Sequence, residues 1–235
     1  ALNQQNRFPK EGAVITTVVT SPLVSKMARH NELDLVEVLP GFKWIKQAAL
    51  RYEKEIGGKF VFGMEESHGY LMGSHSGDKD GIWAAMAFAE MVATLKKRNL
   101  TAIDRLNQIH QQYGTHLDTL RTKTFLGTEG LLKIQEIMSK LRKSPPKFVA
   151  GQAVIKRTDY LENIIICADE TKNLQGPGLP KSNVISLELS DNTRVTARPS
   201  GTEPKIKYYF NLEGNNSELL KERLFKIQAD ILSEL

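Results

Sequence analysis

At 235 residues, with 40% hydrophobic and 25% charged side chains, the chain has the composition of a soluble globular protein and enough length for one large core or two modest ones, two domains being the expectation. The single cysteine, Cys167 in the run Ile164-Ile165-Ile166-Cys167-Ala168, excludes an intrachain disulfide and reads as a buried strand residue. No stretch is long and apolar enough to span a bilayer, and the start does not resemble a signal peptide, so no membrane partner and a cytoplasmic, reducing setting are expected. A net charge of +5 is spread among 27 acidic residues rather than gathered in a stripe, which suits a small anionic ligand and argues against nucleic acid. The polar opening from Ala1 to Lys10 suggests a trimmed chain with residues missing upstream.

Ala13 to Thr20 is a continuous β-branched run, expected as a strand buried on both faces. Ser21-Pro22 then offers an N-cap and a proline at the first helical position for a helix through Ala28. Leu33 to Leu39 alternates apolar and acidic residues as a second strand, Pro40-Gly41 turns the chain, and Phe42 to Ile56 is helical up to the Gly57-Gly58 stop. Lys59 to Met64 is a third strand. The polar loop Glu65 to Gly81 leads into Ile82 to Leu95, apolar on nearly all sides and therefore expected inside a domain. Thr101 to Tyr113 is a further helix ending at Gly114. Strands separated by helices predict an α/β domain, a mixed sheet with flanking helices, over residues 1–120.

The remainder, residues 121–235, reads differently. Gly127 to Arg142 is an amphipathic helix with Leu131, Ile134, Ile137, Met138 and Leu141 at helical spacing, stopped by Ser144-Pro145-Pro146. Strands follow at Ala153 to Lys156, Asn163 to Cys167, Val184 to Leu189, Arg194 to Ala197 and Lys205 to Phe210, and Glu218 to Leu235 closes the chain as a helix. This pattern predicts a small α+β domain with an antiparallel sheet, joined to the first across Thr115 to Thr124.

Two segments carry chemistry. In Arg198-Pro199-Ser200-Gly201-Thr202-Glu203-Pro204-Lys205-Ile206-Lys207, a bend joins two strands, and alternation puts Lys205, Lys207 and Tyr209 on one face with Ile206, Tyr208 and Phe210 on the other. Two ammonium groups, the turn hydroxyls and amides, and the Arg198 guanidinium make a plausible anion cradle. By composition alone the segment reads equally well as a proline-glycine hairpin with solvated charges. In Gly63-Met64-Glu65-Glu66-Ser67-His68-Gly69, strand spacing points Glu65 and Ser67 the same way, roughly 6.5 to 7 Å apart along the backbone, a carboxylate and a hydroxyl suited to sugar hydroxyls. Taken cold, a Glu-Glu pair is more often a solvated feature. The irregular set Glu65, Glu66, His68, His75, Asp78 and Asp80 lacks metal-ligand spacing, and His30, His110 and His116 look like surface or helix residues without partners.

The strings RPSGTEPKIKYY and GMEESHG, with Gly41-Phe42-Lys43-Trp44-Ile45 and Asp78-Lys79-Asp80-Gly81-Ile82-Trp83 in the same order, resemble the α-D-phosphohexomutases, nearest to their phosphoglucomutase branch. The resemblance covers the whole chain but only the third and fourth of the family's four domains. It implies that Arg198, Ser200, Gly201, Thr202, Lys205 and Lys207 hold the non-reacting phosphate, that Glu65 and Ser67 bind adjacent ring hydroxyls, and that Gly41, Phe42 and Lys43 belong to the loop distinguishing the two sugar orientations. Lys79, between Asp78 and Asp80, would reach the sugar phosphate and assist. Many relatives have a threonine where this chain has Pro40, which leaves the sugar preference open.

The family's phosphoserine and its aspartate-rich magnesium loop have no counterpart in these residues. The resemblance therefore implies a chain without catalytic residues of its own, inactive alone, whose partners are a sugar phosphate and the N-terminal domains of the same enzyme. Mg2+ would be bound by that missing half, and a hexose 1,6-bisphosphate would be the intermediate. A phosphomannomutase, a phosphopentomutase and a stand-alone sugar-phosphate-binding module are the alternatives.

Overall fold

The structure is a computed structural model and describes residue 9 and residues 11–66, 69–73, 75–168, 173–201 and 203–234. The chain divides into two compact units, Ala1–Gly114 and Thr115–Leu235.

In the first unit the central strand β1 (Gly12–Thr17) runs parallel between β2 (Asp34–Val38) and β3 (Lys59–Glu65). A short β4 (Gly69–Leu71) adds antiparallel to β3, giving the order β2-β1-β3-β4. All six residues of β1 are buried, as expected for a β-branched strand covered on both faces. The crossover helices α1 (Pro22–His30) and α2 (Phe42–Glu55) take opposite faces. Ala28 of α1 packs with Val14, Leu33 and Val61, whereas Phe42, Ile45, Ala49 and Tyr52 of α2 pack with Ala13, Ile15 and Phe60. Because β2 lies on one side of β1 and β3 on the other, the winding reverses between β1 and β3. The crevice outside the carboxyl ends of two such strands is where doubly wound sheets take ligands. Here those ends are Thr17 and Glu65.

Local chemistry sets the helix starts. The Ser21 hydroxyl accepts from the Leu23 amide to begin α1, and Thr101 with Asp104 forms a reciprocal capping box for α4 (Ala102–Tyr113), which holds the Asp104 carboxyl below its ordinary pKa. Between them α3 (Gly81–Lys96) overturns one expectation. Rather than lying inside a domain, it buries only Leu95, while Ile82 is 88% and Phe88 57% exposed. Hydropathy marks a surface that gains by burial without saying what buries it, and among the described residues this helix packs chiefly on β4 and α4.

The second unit is an antiparallel sheet in the order β5-β12-β11-β10-β7-β8-β9, with a short β6 paired to β7. Its strands are β5 (Thr115–Thr124), β6 (Phe148–Val149), β7 (Gln152–Asp159), β8 (Ile164–Cys167), β9 (Asn173–Gln175), β10 (Ile185–Leu189), β11 (Arg194–Pro199) and β12 (Lys205–Gly214). Two helices, α5 (Gly127–Lys143) and α6 (Ser217–Glu234), bring Ile134, Ile137, Met138, Leu220, Ile227 and Ile231 into one core with Ile185, Leu187, Val195, Ile206, Tyr208 and Phe210. An α/β unit followed by an α+β unit is thus the architecture.

Several details differ from expectation. The expected junction from Thr115 to Thr124 is the ten-residue strand β5, so the residue 120/121 boundary falls within it. Its inward face carries Arg121 and Lys123, whose head groups reach Gln228 Oε1 and the Leu232 carbonyl, and that polarity hid the strand. Leu131 is 49% exposed although Ile134, Ile137, Met138 and Leu141 of the same stripe are buried, and Cys167 is only half-buried because β8 lies next to the edge strand β9. Two of the histidines expected to lack partners have polar neighbours: His30 Nε2 lies 2.9 Å from Gln112 Nε2, and buried His116 lies 3.8 Å from the Glu213 carboxylate.

Candidate functional site

Three loops of the first unit meet at the carboxyl end of β3. Glu65 is the last residue of that strand, and its side chain is only 9% exposed. A carboxylate this enclosed requires partners. Its Oε1 lies 2.6 Å from Lys79 Nζ, and its Oε2 accepts from the Gly41 amide at 3.0 Å. Gly41 is the N-cap of α2 and has φ +128°, a backbone region that L side chains rarely adopt, so a glycine turns its amide toward the acid. A carboxylate at the start of a helix also faces the favourable end of the helix dipole.

Lys79 comes from the loop ahead of α3, which is tied down by its own polar groups. The Asp78 carboxylate accepts from the Lys79 amide at 2.7 Å, and the Asp80 amide donates to the Tyr70 carbonyl at 2.8 Å. Asp80 Oδ1 accepts from Trp83 N to cap α3, while its Oδ2 meets His75 Nε2 at 2.7 Å. The Trp83 amide and then His75 hold the Asp80 carboxyl below its ordinary pKa. From α2, Lys46 Nζ reaches the Ser76 carbonyl at 3.4 Å. The two aspartates flanking Lys79 are therefore engaged with backbone and His75, and the Lys79 ammonium crosses to Glu65 instead.

Each Glu65 oxygen has one named protein donor, which leaves acceptor capacity for hydroxyls, while the Lys79 side chain is 38% exposed beside it. Phe42 is buried in the core beneath the acid, whereas Lys43 is exposed with its Nζ 4.9 Å from the centre of the Trp44 ring. Gly41, Phe42, Glu65 and Lys79 come together; Lys43 does not join them. Ser67, the expected second sugar contact, lies outside the described residues.

In the second unit the bend between β11 and β12 is closed by Ser200 N to Lys205 O at 2.8 Å, with the Ser200 hydroxyl accepting from Glu203 N at 3.3 Å. Strand alternation holds: Ile206, Tyr208 and Phe210 are buried in the core, which sends Lys205 and Lys207 to the other face. Arg198 stands directly opposite Lys207 in the ladder. Like charges so placed repel. Among the described residues neither has a carboxylate partner, whereas Lys205 is neutralised by Glu203 at 2.6 Å. Gly201 is exposed with open space around it, and Thr202 lies outside the described residues.

Residues 1–113 match the phosphoglucomutase/phosphomannomutase alpha/beta/alpha domain III. The phosphoglucomutase of Staphylococcus aureus is 36% identical over 230 residues, which is 98% of this chain and 40% of that protein. The Staphylococcus haemolyticus phosphoglucomutase is 34% identical over 224 residues, 95% of this chain and again 40% of the relative. Residues 1–113 are thus a domain of the phosphoglucomutase/phosphomannomutase family, and the similarity to phosphoglucomutases runs through nearly the whole chain. It spans less than half the length of these relatives.

Solved structures of the family carry the same fold. Parafusin from Paramecium, a phosphoglucomutase in an open form, superposes over 93% of this chain and 37% of its own with a TM-score of 0.64 at 20% identity. A phosphoglucomutase/phosphomannomutase family protein from Burkholderia thailandensis covers 99% of this chain and 38% of its own, with a TM-score of 0.52 at 16% identity. Residue-by-residue reading missed the contact of Glu65 with both Gly41 and Lys79. The three lie in separate strings, and only the crossover topology, legible as alternating strands and helices, could have put their loops at one sheet edge.

Proposed function

We propose that the chain supplies the substrate-gripping part of a phosphoglucomutase-type enzyme, one that interconverts hexose 1-phosphate and hexose 6-phosphate through a hexose 1,6-bisphosphate. The observation that carries this reading is the cross-strand pair Arg198 and Lys207, two cations side by side without a carboxylate between them among the described residues. A phosphate dianion relieves their repulsion and accepts the guanidinium fork. Lys205, Ser200, Gly201 and Thr202 complete the phosphate loop, and Glu65, Lys79, Gly41, Phe42, Lys43 and Ser67 form the sugar loop. Glu65 accepts from ring hydroxyls, and Lys79 supplies positive charge toward the sugar phosphate.

In such an enzyme the contribution of these residues is positioning, because holding the sugar while phosphoryl groups move converts a bimolecular encounter into an oriented one. The phosphoserine and Mg2+ would belong to the domains that make up the rest of the relatives' length. Among the described residues no group of three or more His, Cys, Asp or Glu is placed to hold a metal ion. No helix among those residues is long and apolar enough to cross a membrane, and a cytoplasmic setting suits a phosphorylated sugar.

Calorimetric titration of the chain with glucose 1-phosphate, glucose 6-phosphate and mannose 1-phosphate, repeated on Arg198→Ala, tests the reading. Arg198→Ala is expected to weaken all three at least tenfold, about 1.4 kcal/mol, in line with the loss of a charge-assisted contact. Equal binding by wild type and variant would sink the assignment of the phosphate loop.

A further inference from the structure

We infer that Thr122 of β5 is a further phosphate-binding residue, a role that rests on the phosphate loop proposed above: a third strand lends its hydroxyl to the anion held by Arg198 and Lys207. In the ladder, Lys207 stands opposite Arg198 on one side and opposite Thr122 on the other. Directly opposite residues project to one face with Cβ atoms about 4.5–5.5 Å apart, so the three make a row across β11, β12 and β5. That face is turned away from the helices, because Ile206 and Tyr208, on either side of Lys207 in β12, are buried in the core. Among the described residues β5 is an edge strand, and Thr122 is exposed at the outer end of the row.

Backbone contacts fix β5 to the bend. Thr124 pairs with Lys205, and the Phe125 amide donates to the Pro204 carbonyl at 2.8 Å. The basic residues of the strand are engaged on its other side, where Arg121 and Lys123 reach Gln228 Oε1 and the Leu232 carbonyl, so Thr122 is what β5 offers beside Lys207. A hydroxyl suits that place. The three terminal oxygens of a phosphate monoester accept more hydrogen bonds than one guanidinium fork and one ammonium supply. A third cation would add to the repulsion between Arg198 and Lys207, whereas a hydroxyl donates without charge, and threonine, stiff at χ1, loses little freedom in doing so. Elsewhere on this face hydroxyls are already committed, as in Ser186 and Thr196, which bond each other at 2.6 Å; among the described residues the Thr122 hydroxyl has no such partner.

The test is calorimetric titration of the whole chain with inorganic phosphate and with glucose 1-phosphate, on wild type, Thr122→Val, Thr122→Ser, Thr124→Val and Arg198→Ala. Valine keeps the branching and strand preference of threonine and removes the hydroxyl. Thr122→Val is expected to weaken both ligands about three- to tenfold, the range of one neutral hydrogen bond. Thr122→Ser keeps the donor, and Thr124→Val lies beside Lys205, which Glu203 already neutralises at 2.6 Å, so each is expected to stay within a factor of two of wild type. Because the contact is uncharged, the ratio of wild type to Thr122→Val should be the same at low and high salt, whereas Arg198→Ala should flatten the salt dependence. Arg198→Ala weakened with Thr122→Val within twofold of wild type overturns the inference and leaves the phosphate loop standing. Thr122→Ser or Thr124→Val weakened as much as Thr122→Val overturns it in the same way. Arg198→Ala binding as wild type does defeats the phosphate loop itself and the role of Thr122 with it. Should Thr122→Val not fold, Thr122→Ala, equally without a hydroxyl, decides by the same criteria.

Discussion

Lys79→Met deletes an ammonium and nearly preserves side-chain length, leaving the 9%-exposed Glu65 carboxylate with the Gly41 amide as its named donor. Removing one partner from a fully buried ion pair costs about 3–5 kcal/mol; since the Lys79 head is 38% exposed and partly screened, about 2 kcal/mol is the expected loss. The reverse change, Glu65→Gln, keeps an acceptor for the Gly41 amide and strands only a lysine that can turn to water, so about 0.5–1 kcal/mol is expected. The asymmetry is the prediction. Urea denaturation followed by tryptophan fluorescence measures it selectively, because the two tryptophans, Trp44 and Trp83, both belong to the first unit. With a urea slope of about 1–3 kcal/mol per molar, Lys79→Met should lower the midpoint by roughly 1 M and Glu65→Gln by less than half that. A Glu65→Gln variant as unstable as Lys79→Met would refute the claim that the lysine is what makes this buried acid tolerable.

Lys207→Met should leave the second unit as stable as before, or a few tenths of a kcal/mol more so, because a cross-strand repulsion with Arg198 disappears. Inorganic phosphate at a hundred times its dissociation constant should stabilise the wild type by about 2.7 kcal/mol and the variant hardly at all, and scanning calorimetry that finds both equally stabilised would dismiss the anion cradle. At alkaline pH, Tyr52, bonded to Asp34 and partly desolvated, is pushed up to about 12, and Tyr208 is pushed up to about 12 by burial. Folded values above the unfolded value of 10.0 mean that this stability is fully present below pH 10 and lost as pH rises toward about 12. Ultraviolet titration should lose late-ionising absorbance in Tyr52→Phe and in Tyr208→Phe, and Tyr52→Phe should flatten part of the alkaline stability slope; variants that leave the late absorbance unchanged would contradict the assignments.

Order and type of most elements were legible because periodicity reports burial. Val14 and Ile15 sit in an unbroken run that must be covered on both faces, and Ile206, Tyr208 and Phe210 alternate with lysines that must face outward. Short pairings such as β4, β6 and β9 escaped because two or three residues carry no period. β5 escaped because Arg121 and Lys123 face inward yet extend polar heads to α6, so a strand packed on one side looked polar throughout. In the site, Glu65, Lys79 and Arg198 could be picked out by chemistry and motif. Their partners could not: Lys79 pairs with Glu65 across the sheet edge rather than with its neighbours Asp78 and Asp80, and Lys205 pairs with Glu203 inside its own turn. Sequence adjacency ranks the Lys79 partner wrongly because the Asp78 and Asp80 carboxylates of its own turn are engaged by backbone amides.

The outward-facing α3 carries an energetic consequence. Ile82, Met86, Phe88 and Val92 all remain more than a third exposed. Hiding what these four side chains still expose would release roughly 4–7 kcal/mol, comparable with the lower part of a domain's whole margin against unfolding. A molecule that leaves so large a sum unclaimed on one flank behaves differently at different dilutions: its solubility, its adhesion to apolar surfaces and its apparent melting point become properties of the solution it is kept in.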